Sequence, residues 1–234
     1  MLKVLRPGLA QLLTPVGKAL ARTPLTPNML TVIGAVGVTA GALTLFPTGH
    51  LFVGTVICTV FVLTDMLDGA LARITGSSGV FGAFLDSTLD RVADSAVFAG
   101  IAIWLAGGGH DRPLALVALF CLVTGGLVSY AKARAEGLGL RCDVGIAERT
   151  ERLLIGLVAI GLAGLGVPYV LPAGLWILAV LSAITFGQRV YAVRKAATPR
   201  QPGAPAGTGA AGVPGDSGVA EAPGSAGASG SAAT

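Results

Sequence analysis

The chain has 234 residues, of which 53% are hydrophobic and only 12% charged, with a mean hydropathy of +0.78. A soluble domain carries about 25% charged residues, so this composition excludes an ordinary soluble enzyme and points to a membrane protein. The formal net charge of +4 is too modest to argue for nucleic-acid binding and fits attraction to anionic lipid headgroups.

In chain order, residues 1–27 come first. Leu2, Val4, Leu5, Leu9, Leu12, Leu13 and Val16 alternate there with Lys3, Arg6 and Lys18, the pattern of an amphipathic helix lying in a membrane interface. The stretch lacks the continuous apolar run of a secretory signal, and Pro24 and Pro27 end it. Six apolar segments follow at 29–46, 51–73, 81–105, 113–134, 148–165 and 170–191, each about long enough to cross the hydrocarbon as a helix. A six-span domain over 28–197 is expected. Residues 198–234 are Pro, Ala, Gly and Ser with almost no large apolar side chain, a composition that cannot offset chain entropy, so a disordered tail is expected.

Basic residues set an orientation. Lys3, Arg6, Lys18, Arg22, Arg73, Arg134, Arg141, Arg149, Arg194, Lys195 and Arg200 fall on one side of the six spans and Arg112 alone on the other. Both termini are therefore expected in the cytoplasm of a multi-pass cell-membrane protein. The three cysteines, Cys58, Cys121 and Cys142, are far apart and suggest neither a zinc site nor a disulfide framework.

The chemistry is concentrated between the second and third spans, in "DMLDGALARITGSSGVFGAFLDSTLD". Asp65 and Asp68 stand three apart at the end of the second span, and Asp86 and Asp90 four apart near the start of the third, so each pair shares a helix face. The turn "TGSSG" predicts antiparallel neighbours whose acidic faces meet. Four carboxylates brought together repel unless cations join them. Hard Mg²⁺ or Mn²⁺ suits carboxylate oxygens, and two such ions about 3.5–4 Å apart form a phosphoryl-transfer clamp. The plainer alternative pairs the aspartates with Arg73 and Arg91 or leaves them facing water. Asp94 continues the face one turn on, as a partner behind the site or in an ion pair with an arginine. Gly69 and Gly82 either admit a ligand to the backbone or are small residues for helix packing.

Asp65, Asp68, Gly69, Ala72, Arg73, Gly82, Asp86 and Asp90 together spell D-x2-D-G-x2-A-R-x8-G-x3-D-x3-D. On these residues the chain resembles the CDP-alcohol phosphatidyltransferases, over about residues 24 to 195. The resemblance implies an all-α integral membrane enzyme with six transmembrane helices and an N-terminal amphipathic interfacial helix, forming a homodimer. It implies transfer of a phosphatidyl group from a CDP-linked lipid to an alcohol, with release of CMP. Asp65, Asp68, Asp86 and Asp90 would hold a pair of Mg²⁺ or Mn²⁺ ions, with Asp90 also the general base. Asn28, Met29, Leu30, Thr31, Gly69, Arg73 and Gly79 would line the site of the CDP-lipid. Relatives often carry a hydroxyl residue at the position of Gly79, so a backbone contact is what remains there.

The acceptor is written in the second half of the chain. Lys132, Arg149, Arg152 and Arg189 are placed to converge into a cationic pocket. Arginine forks suit a phosphate dianion, and so a phosphorylated acceptor is expected. Anchoring to the inner leaflet is the alternative use of these charges; Arg134 falls on a different helix face from Lys132. "YAKARAEGLGL" and "GIAERTERL" resemble the actinobacterial members of the family, which implies CDP-diacylglycerol as donor and 1D-myo-inositol 3-phosphate as acceptor. Glycerol 3-phosphate, the acceptor of phosphatidylglycerophosphate synthesis, is equally anionic and stays open. From other classes, an ion-coupled transporter and a non-catalytic membrane interaction protein also stay open, separable by whether CMP is released.

Overall fold

The computed structural model describes residues 26–75 and 79–197, without the side chains of 65–70 and 72–75. Most of the interfacial segment at 1–27 and the tail at 198–234 thus lie outside the described residues. Within them are six helices and no strand: α1 (Pro27–Leu45), α2 (Leu51–Thr75), α3 (Val80–Ala106), α4 (Arg112–Gly137), α5 (Arg149–Gly164) and α6 (Val170–Ala197).

Local chemistry sets several boundaries. Pro27 opens α1, where its missing N–H is no loss, and the Thr26 hydroxyl accepts from the Met29 N–H at 3.3 Å. Asp111 caps α4 by accepting from the Leu114 N–H at 3.0 Å, satisfying a donor that the helix itself leaves unpaired. Gly49, at φ +84°, turns the chain between α1 and α2 in a conformation that favours a residue without Cβ.

The helices close into a ring. α1 packs on α2 and α3, α3 on α4, α4 on α6, α6 on α5, and α5 on α2. Val38, Phe46, Cys58, Val97, Ile101, Cys121, Ile160 and Leu178 fill the core. Small residues set the spacing: a Cβ at Gly100 of α3 would collide with the carbonyl of Ala42 on α1, so the two backbones meet as helices do in a membrane. The turn between α2 and α3 does not make each the other's main neighbour. Both pack principally on α1, where Gly100 of α3 lets the α1 backbone approach closely.

Large apolar side chains also point outward. Val36, Leu116, Trp176 and Val180 are more than half exposed, an outer surface suited to hydrocarbon rather than water. Among the described residues, α1, α4 and α6 are long and apolar enough to cross a membrane by length and composition. In α2 the stretch with described side chains, Leu51–Thr64, is apolar throughout. α3 carries Asp86, Asp90, Arg91 and Asp94 in its first half, and α5 has only 16 residues, about 24 Å of helix.

Candidate active site

The site is built on the first half of α3. Asp86, Asp90 and Asp94 succeed one another at four-residue steps, so they form one stripe, which buried Phe98 continues into the core. The side chains of Asp90 and Asp94 are 12% and 15% exposed. α5 presents the matching stripe, Arg149, Arg152 and Gly156, on one face of its first two turns. At Gly156 a Cβ would lie 3.5 Å from the tip of the Phe98 ring, so the Phe98 side chain reaches across to α5. The seam then reads in register: Arg149 beside Asp90 and Asp94, Arg152 beside Asp94, Gly156 beside Phe98. α3 and α5 therefore run in the same direction here.

The contacts along the seam are charged. Arg149 places Nη2 2.8 Å from Asp90 Oδ1, and its Nε donates to Asp94 Oδ1 at 3.2 Å. Arg152, almost wholly buried, sets Nη2 3.7 Å from Asp94 Oδ2; its Nη1 donates to the Ala147 carbonyl at 3.4 Å. Isolated charges at such depth are costly, and opposite charges with hydrogen bonds offset that cost. Arg91 instead donates to the Ser87 carbonyl on its own helix. A small cleft lies beside Arg152 and Asp94, with Ser95, Gly125 and Ser129 in its lining.

The remaining two acceptor candidates hold the loop at 138–148. Arg189 of α6 is buried; its Nε donates to the Val144 carbonyl at 2.9 Å and its Nη1 to the Val128 carbonyl of α4. Lys132 of α4 reaches Asp143 at 2.9 Å and Glu136 at 3.7 Å. The Thr185 hydroxyl accepts from the Ala147 N–H at 3.0 Å. Gly145, at φ +144°, packs its backbone on the Thr185 methyl, which a Cβ would strike. Arg149, Arg152, Arg189 and Lys132 thus come from three helices to one end of the ring, two against the acid stripe and two against the loop.

On the side of the expected nucleotide, Asn28 and Gly82 meet: a Cβ at Gly82 would lie 3.1 Å from Asn28 Oδ1. α1 is thereby brought against α3 one turn before Asp86. Asn28 and Met29 are exposed, whereas Leu30 and Thr31 are buried, with the Thr31 hydroxyl donating to the Pro27 carbonyl at 3.0 Å. Gly79 is exposed and precedes α3, its carbonyl accepting from the Ala83 N–H at 3.1 Å. Asp65, Asp68, Gly69 and Arg73 lie on α2, and their side chains are outside the described residues. Among the described residues no three His, Cys, Asp or Glu side chains gather as a metal site. The sequence reading missed Asp143, Thr185 and the carbonyls of Val128, Val144 and Ala147. A backbone carbonyl carries no residue-type signal by which it is foreseen.

The described residues thus form helices only, with an acidic stripe on α3 facing two arginines of α5. The sequence model of the CDP-alcohol phosphatidyltransferases matches residues 24–185, and the chain belongs to that family of enzymes. More particularly, it is 48% identical over 200 residues to a phosphatidylinositol phosphate synthase of Streptomyces avermitilis, covering 82% of each chain. It is 48% identical over 191 residues to the phosphatidylinositol phosphate synthase of Mycobacterium tuberculosis, covering 80% of this chain and 88% of that one. The structure of the M. tuberculosis enzyme with CDP-DAG bound is similar at a TM-score of 0.75 and 47% identity, over 80% of this chain and 96% of the other. The same enzyme in complex with manganese and citrate gives a TM-score of 0.76 at 48% identity, over 79% and 90%.

Proposed function

We infer that the protein transfers the phosphatidyl group of CDP-diacylglycerol to 1D-myo-inositol 3-phosphate, giving phosphatidylinositol phosphate and CMP. Support comes from relatives about half identical over four-fifths of the chain. The single observation that carries it is Arg149, which touches Asp90 and Asp94 at once. A phosphate drawn to that guanidinium sets the rest of the acceptor beside the Asp90 carboxylate.

In this reading the acceptor hydroxyl attacks the β-phosphorus, its proton passes to Asp90, and the bond to CMP breaks with the electron pair leaving on CMP. The hydroxyl is a very weak acid, so a carboxylate within hydrogen-bond reach is needed. Lys132, Arg149, Arg152 and Arg189 hold the acceptor phosphate. Asn28, Met29, Leu30, Thr31, Gly69, Arg73 and Gly79 receive the CDP-lipid, with the exposed Asn28 at the α1–α3 contact best placed to meet the nucleotide.

Asp65, Asp68, Asp86 and Asp90 are the residues for Mg²⁺ or Mn²⁺, read as two ions. The donor set fits: Asp86 and Asp90 stand one turn apart on one face, only partly exposed, and carboxylate oxygens are what hard divalent ions prefer. Bound there, such ions neutralise charge on the leaving CMP and the transferred group. We extend the reading to six spans in the cell membrane, both termini and the active site on the cytoplasmic side, and a homodimer. The acyl chains then stay in the bilayer while a water-soluble acceptor enters from the cytoplasm.

Purified enzyme with CDP-diacylglycerol and Mg²⁺, offered inositol 3-phosphate, free inositol, glycerol 3-phosphate or serine, tests the proposal. CMP release is expected with inositol 3-phosphate and not with the uncharged or zwitterionic alcohols. Release with glycerol 3-phosphate alone would move the assignment to phosphatidylglycerophosphate synthesis. No CMP with any acceptor would remove the enzymatic reading.

A further inference from the structure

The eight-position signature ends at Asp90, yet the acid stripe does not. Asp94 follows one turn later, 15% exposed, and divides its two oxygens between two arginines: Oδ1 accepts from Arg149 Nε at 3.2 Å, and Oδ2 lies 3.7 Å from Arg152 Nη2. Arg149 and Arg152 stand three apart on α5. Like charges at that spacing repel, and long side chains lose rotamer freedom when they are ordered. A carboxylate bridging them offsets both costs before any ligand arrives. The bridge uses the Nε of Arg149, while its Nη2 pairs with Asp90. Small residues surround the pair: Gly125 runs past the Arg152 guanidinium, and Ser95 and Ser129 line the adjoining cleft.

We propose that Asp94 is a positioning residue for the acceptor phosphate: by bridging Arg149 and Arg152 it holds the two guanidinium groups as a preformed dianion clamp. This rests on the reading that these arginines bind the acceptor. Asp94 acts in this reading through its contacts to Arg149 and Arg152. Preorganised charges bind a ligand with less ordering cost, so its loss falls on acceptor affinity. Asparagine keeps one oxygen for Arg149 but removes the counter-charge for Arg152. Glutamate keeps the charge on a longer arm.

The test is steady-state kinetics of the full-length enzyme and its Asp94→Asn and Asp94→Glu variants, varying CDP-diacylglycerol and 1D-myo-inositol 3-phosphate separately. Asp94→Asn is expected to raise KM for the phosphate about tenfold or more, the scale of one lost charged hydrogen bond. KM for the CDP-lipid should stay within about twofold, and kcat within about threefold, because the lost interaction is uniform binding. Asp94→Glu should recover part of the acceptor KM. Should Asp94→Asn fail to fold, Asp94→Glu decides alone by the same split. An unchanged acceptor KM, a parallel loss for both substrates, or loss of the fold in both variants overturns the proposal. If the wild type turns over glycerol 3-phosphate instead, the split is read with that acceptor, so a wrong acceptor and a wrong role for Asp94 give different results.

Discussion

The two ends of the helix ring are held by different physics. Around α1 and the second half of α3, the contacts are apolar and close: Ala42 against Gly100, Phe46 against Gly54 and Gly100, Val38 near Cys58. At the other end, where α3 and α5 begin and the 138–148 loop crosses, the contacts are ionic or run from arginines to backbone carbonyls. The first kind of contact is satisfied within the chain and gains nothing from a ligand. The second assembles charges that a phosphate or a divalent ion can exchange for itself. A membrane enzyme thus keeps its stability in one region and its chemistry in the other, and mutations should separate them.

The largest effects should come from the acidic stripe. Asp90→Asn is expected to lower kcat by about 10²–10⁴ if proton transfer alone is lost, more if metal binding goes too, with thermal stability in detergent changed little. Removing divalent ions with a chelator should abolish CMP release, and Mg²⁺ or Mn²⁺ should restore it. Next comes Arg149→Ala, expected to raise KM for inositol 3-phosphate by about 10- to 100-fold, since charged hydrogen bonds contribute about 1.5–3 kcal/mol. The KM for CDP-diacylglycerol is the comparison that checks it. In the apolar region, Gly100→Val should destabilise by about 1–3 kcal/mol through overpacking on α1, read as a lower Tm, while the protein that remains folded keeps its KM values. The smallest effect should come from Asp143→Ala. Its partner Lys132 is 39% exposed and Asp143 itself 72% exposed, so the stability change should stay below about 1 kcal/mol.

Much of this division is legible in the residues. Length and apolarity place helices over all six segments, and spacing alone puts Asp86, Asp90 and Asp94 on one face. Asp94 was open between a role behind the site and an ion pair with an arginine; the structure shows the ion pair, and with Arg149 and Arg152 together. What spacing does not supply is the pairing across the ring. A short turn suggests that α2 and α3 are each other's neighbours, but Gly100 and Ala42 draw α3 to α1, a contact that depends on shape between distant segments. The partners of Arg189 were equally hidden, because the carbonyls of Val128 and Val144 look like any others in the sequence. The aspartates on α2 remain a matter of spacing, since Asp65 and Asp68 are placed only by their helix.

The central claim is that the acceptor phosphate and the base meet where Arg149 crosses from α5 to the α3 stripe. A structure of the enzyme with Mn²⁺ and 1D-myo-inositol 3-phosphate tests it most directly, the ions located by anomalous scattering. The account predicts manganese on Asp86 and Asp90, the phosphate on Arg149 and Arg152, and an inositol hydroxyl within hydrogen-bond distance of Asp90. Manganese away from those aspartates, or a phosphate seated without Arg149, would contradict it.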